Sequence, residues 1–155
     1  MCLKYMKEGK EFSYAYKVLI RDKKGNLITP YAFQKVKENE WNKAEKTFTS
    51  KTTKVEYSKE HKGKISVFLT LDGIVQWFSD YKDFEVWKVI CKLNTKKPIV
   101  GNQRYNGGYY DMPDSALVDG FKLMNKVGYK KGAAWAFVSN DAFYNIDSHE
   151  LTYIK

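Results

Sequence analysis

Residues 64–93 read KISVFLTLDGIVQWFSDYKDFEVWKVICKL, and this stretch decides the fold because three elements follow one another in it. Ile65, Val67 and Leu69 alternate with Ser66, Phe68 and Thr70, the period of two of a strand with one strongly apolar face. Ile74, Trp77, Phe78 and Tyr81 then fall at i, i+3, i+4 and i+7, on one side of a helix opening near Thr70 to Asp72. From Glu85 to Leu93, Trp87, Val89, Cys91 and Leu93 form one face of a strand. Val86 and Ile90 add enough apolar character to the other face to predict an interior strand. The expected arrangement is a helix packed across two strands.

Length and composition bound what surrounds this unit. A chain of 155 residues with 43% hydrophobic and 16% aromatic residues predicts one domain with one core. With no apolar run of about 18 residues and no basic-then-apolar leader, the expectation is a soluble protein that is not exported or held in a membrane. Cys2 and Cys91 offer neither a disulfide framework nor a metal spacing, which points to a reducing, cytoplasmic setting. The net charge of +9 is uneven: residues 1–62 carry 15 Lys or Arg against 8 Asp or Glu, residues 63–155 carry 12 against 10. A basic first part attracts nucleic acid or an acidic protein, although Lys scattered without a period also describes a solvated surface.

Outward from the central unit, residues 1–11 read as a loosely held lead-in. A strand follows over Phe12 to Asp22, with Tyr14, Tyr16, Val18 and Ile20 on one face. Lys23, Lys24, Gly25 and Asn26 form a basic turn into Leu27 and Ile28 before Pro30 stops the pairing. Residues 42–62 are a long polar excursion. On the other side, Asn94 to Tyr110 is a connection that carries Arg104, Tyr105, Tyr109 and Tyr110, a guanidinium among rings suited to stacking. Its Gly107 and Gly108 match no phosphate-cradling spacing.

A second helix is expected to start at Asp111 as N-cap, with Pro113 in its first turn. Leu117, Phe121, Met124 and Val127 make its stripe, and Gly128 ends it. Ala133 to Val138, Ala142 to Ile146 and Leu151 to Ile154 then predict an antiparallel meander. The fold class is α+β: a single domain over 1–155, a mixed or mostly antiparallel sheet with two main helices packed on it.

The chemical inventory is sparse. His61 and His149 have no metal-ligand partners in sequence, so no metal is expected. Cys91 belongs to the core, where a thiol is inert. Asp80, Asp83 and Glu85 sit as solvated turn residues around Lys82.

The strand ending in Arg21, then Ser66-Val67-Phe68-Leu69-Thr70 leading into the helix of Trp77, Phe78 and Tyr81, then Val86-Trp87-Lys88-Val89, resembles the opening of the ADP-ribosyltransferase-like fold. The C-terminal Gly128-Tyr129 and short strands are similar to the end of small, divergent, phage-associated members. That resemblance implies an NAD site with Arg21, Ser66 or Thr70, and Glu150. Ser66 and Thr70 are not a contiguous Ser-Thr-Ser, and Ser148-His149-Glu150 has Ser where the family pattern has an acid or amide. The resemblance thus implies a scaffold without its chemistry.

The functional expectation is a non-catalytic binding or inhibitory accessory protein, phage or mobile-element encoded, without cofactor. It would engage a protein or nucleic-acid partner through Lys23, Lys24, Arg104, Tyr105, Tyr109 and Tyr110. Behind it stand a structural subunit of a larger, virion-like assembly, homo-oligomeric or not, and a divergent NAD-dependent ADP-ribosyltransferase. A phage source would place the protein in host cytoplasm or a virion.

Overall fold

The alternating stretches of the sequence pair into one sheet. The computed structural model describes residues 3–30, 33–44, 63–102, 113–137 and 151–153. Its elements are β1 (Lys4–Glu8), β2 (Tyr14–Arg21), β3 (Leu27–Ile28), β4 (Ile65–Phe68), α1 (Leu71–Trp77), β5 (Asp83–Lys92), β6 (Ile99–Asn102), β7 (Ser115–Val118), β8 (Gly120–Lys131), β9 (Ala134–Phe137) and β10 (Leu151–Tyr153). The strands lie in the order β1-β6-β7-β4-β2-β5-β8-β9-β10, and β3 pairs with the end of β2. All these pairings are antiparallel except β9 with β10, which is parallel, so these two are not successive strands of the expected antiparallel meander, whose Ala142 to Ile146 strand lies outside the described residues. Within the expected lead-in, Lys4–Glu8 forms β1 against β6.

The sheet buries both faces over much of its area. On one, Leu19, Val67, Val89, Val118 and Phe121 are almost fully buried. Each such side chain contributes on the order of 1.5–3 kcal/mol. Residues 33–44 cross beside this core: Lys35 bridges Ile28, Asn42 bridges Phe121, and Val36 enters the core between them. The buried Asn42 amide fixes that crossing by accepting from Lys37 N at 2.8 Å and donating to the carbonyls of Lys37 and Glu40.

The other face packs under α1, where Leu71, Ile74 and Phe78 meet Val18, Phe84, Val86, Trp135 and Phe137. A helix of seven residues is too short to stand alone. Thr70 caps it by accepting from Gly73 N at 3.1 Å, Asp72 stands in its first turn, and Phe78 closes it. Lys130 reaches across from β8 to donate to the carbonyl of Ser79, with its ammonium 5.2 Å from the Trp135 ring centre.

The fold class requires correction: the protein is mostly antiparallel sheet, and α1 is the single helix among the described residues. Where a second helix is expected from Asp111 to Gly128, β7 and β8 are found. Two register shifts explain the misreading. Opposite β5, Leu123 faces Val89 while Asn125 faces Lys88, and Lys126 faces Trp87 while Gly128 faces Val86, so Met124 and Val127 are extra residues at bulges. One face of β8 therefore runs Phe121, Leu123, Lys126, Tyr129, and the bulge residues Met124 and Val127, each three on from the last after Phe121, supply the spacing of a helical stripe. β7 is buried at all four positions, and such a run carries no period of its own. Gly128 does not end a helix: it lets Phe137 of β9 close over β8.

No helix among the described residues is long and apolar enough to cross a membrane.

Candidate nucleic-acid interface

Strands β2, β5 and β8 lie side by side, and their register sets which side chains share a face. Tyr14 stands opposite Ile90, which stands opposite Lys122; Tyr16 stands opposite Lys88, which stands opposite Asn125. Both rows lie on the α1 face, because Val18 and Val86 of the helix-side core follow in the same alternation. α1 covers only the half of this face that holds Val18, Phe84 and Val86. The remaining half presents Tyr14, 51% exposed, with exposed Asn125 and half-buried Lys88, Ile90 and Lys122.

The charged strand positions of this half are all basic. The face positions of the three strands are 14, 16, 18 and 20, then 84, 86, 88, 90 and 92, then 120, 122, 125, 128 and 130. None holds a carboxylate, whereas Lys88, Lys92 and Lys122 are cations around an aromatic side chain. Lys88 Nζ lies 4.8 Å from the centre of the Tyr14 ring, a diagonal cross-strand contact that holds cation and ring together. Tyr16 is partly buried against the helix-side core, and that burial raises its phenol above the ordinary value. Met124, at the first bulge, is 47% exposed. By strand geometry the patch spans about 10 Å across the three strands.

The opposite face carries a polar cluster of another kind. Arg21 Nε donates to Glu85 at 2.7 Å and its Nη2 at 3.3 Å, Trp87 Nε1 donates to the same carboxylate at 3.2 Å, and Lys126 lies 3.8 Å away. Burial acts to raise the Glu85 carboxyl, but Arg21, Lys126 and Trp87 together hold it below the usual carboxylate range. Arg21 Nη1 also donates to the Gly25 carbonyl, so its guanidinium is engaged on two sides.

Among the described residues, Ser66 and Thr70 do not gather around Arg21. Ser66 shares the α1 side with Phe68, whereas Arg21 pairs with Leu27 of the other core. Thr70 is the cap of α1. Lys23 and Lys24 are exposed on a turn built by Asp22, whose carboxylate accepts from the backbone of Lys24 and Asn26. Glu150, Arg104, Tyr105, Tyr109 and Tyr110 lie outside the described residues. Cys91 borders an open depression of about 380 Å³ with Glu11, Phe12, Ser13, Leu93 and Thr95. Burial pushes its thiol up to about 12, so it remains protonated and unreactive at neutral pH.

Lys88, Lys122 and Asn125 were not identified from sequence. Tyr14 and Tyr16 were legible as one face of a strand, but which lysines join them depends on pairings 72 to 76 residues apart between β2 and β5 and 32 to 37 residues apart between β5 and β8. Compared with known proteins, the chain matches no family model, no curated protein and no solved structure.

Proposed function

We propose that this is a non-catalytic binding protein that takes nucleic acid on the half of the β2-β5-β8 face left open by α1. One observation carries the reading: Tyr14, Lys88, Lys122 and Asn125 converge from three strands on a face whose strand positions hold no carboxylate. A face of cations around a ring suits phosphates and bases together, since lysines release counterions from the backbone and the ring offers an apolar plane. The net charge of +9 supports this by drawing a polyanion from a distance.

The test is charge reversal at two positions. Lys88→Glu with Lys122→Glu should weaken oligonucleotide binding at least tenfold and flatten its salt dependence by about 1.4 in log–log slope, two phosphate contacts' worth for a single strand. Lys23→Glu with Lys24→Glu, on the far turn, should change affinity far less. Equal losses from the two pairs would mean that charge in general, not this face, holds the ligand. An unchanged affinity in the first pair would reject the site.

A further inference from the structure

Resting on that reading, we infer that the open face takes a single strand rather than a duplex, with a base laid on Tyr14. The patch is a sheet surface about 10 Å across, wide enough for one backbone but not for both walls of a major groove about 12 Å wide. Among the described residues nothing on it projects into a groove: α1, the one described helix, turns Leu71, Ile74 and Phe78 down onto the other half of the face. The side chains at its centre are instead those that handle an unstacked base. Tyr14 is half exposed on an outward strand position, and a ring so placed has nothing to stack on in a duplex, where base faces are already covered. Lys88 stands over one face of that ring, so the base would take the other face, with the ammonium near its flanking phosphate. Asn125, in the next row, offers an amide with both a donor and an acceptor to a base edge. The recognition is tolerant of sequence, since one ring and one amide read few base edges.

Fluorescence anisotropy on an eight-nucleotide single strand, as DNA and as RNA, and on a hairpin duplex of the same sequence at the same salt separates the cases. The expected result is single-strand binding at least tenfold tighter than duplex binding. Tyr14→Ala should lower single-strand affinity by roughly 5- to 150-fold, the range for one lost base stack, Tyr14→Phe should retain it, and duplex affinity should be indifferent to both. Because Tyr14 is exposed, a matching thermal melt can confirm that the variant is folded. Equal affinity for the duplex, or a Tyr14→Ala variant that binds as well as the parent while the double lysine reversal fails, overturns this inference and leaves the nucleic-acid reading standing. Binding untouched by either set of changes, or polyglutamate bound as tightly as the oligonucleotides, overturns both.

Discussion

Lys17 donates from Nζ to the carbonyl of Ser66 at 2.7 Å, at the point where strands β2 and β4 separate. The two strands are in register only at Tyr16 and Phe68, and β3 takes over the same edge of β2 at Ile20 and Arg21. A side-chain ammonium thus satisfies a carbonyl that the ladder no longer reaches. The arrangement has a cost, because burial lowers the Lys17 ammonium to about 8 from the ordinary 10.5, with nearby Cys91 acting weakly in the opposite sense.

This depression fixes a pH dependence. The unfolded chain holds the Lys17 proton more tightly than the folded one, so this group makes stability rise with pH from about 8 to 10.5. The gain between pH 7 and 9 is roughly 1 kcal/mol. Cys91, whose folded thiol is pushed up to about 12 from 9.0, opposes it above about pH 9. Denaturant unfolding of the parent and of Lys17→Met at pH 7, 8 and 9 cancels the shared Cys91 contribution. The parent should gain on the variant as pH rises; parallel curves would show that the ammonium is not buried.

Glu85 joins β2, β5 and β8 by accepting from Arg21 and Trp87 with Lys126 beside it, so Glu85→Gln should destabilise by roughly 1–2 kcal/mol at pH 7. Its depressed carboxyl contributes stability that is present above the ordinary carboxylate value and lost as pH falls below it. The parent–variant difference in urea midpoint should accordingly shrink toward pH 3. A difference constant with pH would assign the loss to shape rather than charge.

Gly128 faces Phe137 across β8 and β9, and a Cβ there would stand 2.4 Å from Phe137 Cδ1 and 2.8 Å from the Ala136 carbonyl. Phe137 cannot move aside readily: it is 1% exposed and stacked on Trp135 with ring centres 5.7 Å apart. Gly128→Ala should cost on the order of 1–3 kcal/mol, read as a lowered thermal midpoint. An unchanged midpoint would show that β9 is held less closely than described.

Local periodicity carried the centre of this fold and failed at its flank. Residues 65–68, 71–77 and 83–92 follow the strand, helix and strand read from Ile65, Ile74 and Trp87, and β2 follows the alternation from Tyr14 to Ile20. The second helix failed because β-bulges at Met124 and Val127 reset the alternation every three residues, producing a helical spacing within a strand. Gly120, inside that stretch, disfavours a helix, while Gly128, which suits a helix end, instead makes room for Phe137. Of the site, only the tyrosine face of β2 was legible. Lys88 and Lys122 look like any solvated lysines until the ladders set Lys88 diagonal to Tyr14 and Lys122 in its row beyond Ile90, and that information is long-range.

Placement of the ligand on this face is tested most directly by a backbone amide chemical-shift map of the protein titrated with a short single strand. The predicted outcome is a contiguous set of shifts over residues 14–16 of β2, 88–90 of β5 and 122–125 of β8, with the Asp22 to Asn26 turn and the Arg21–Glu85 cluster quiet. Shifts centred on that turn or that cluster, or none at concentrations where binding is seen by anisotropy, would contradict the placement of the ligand on this face.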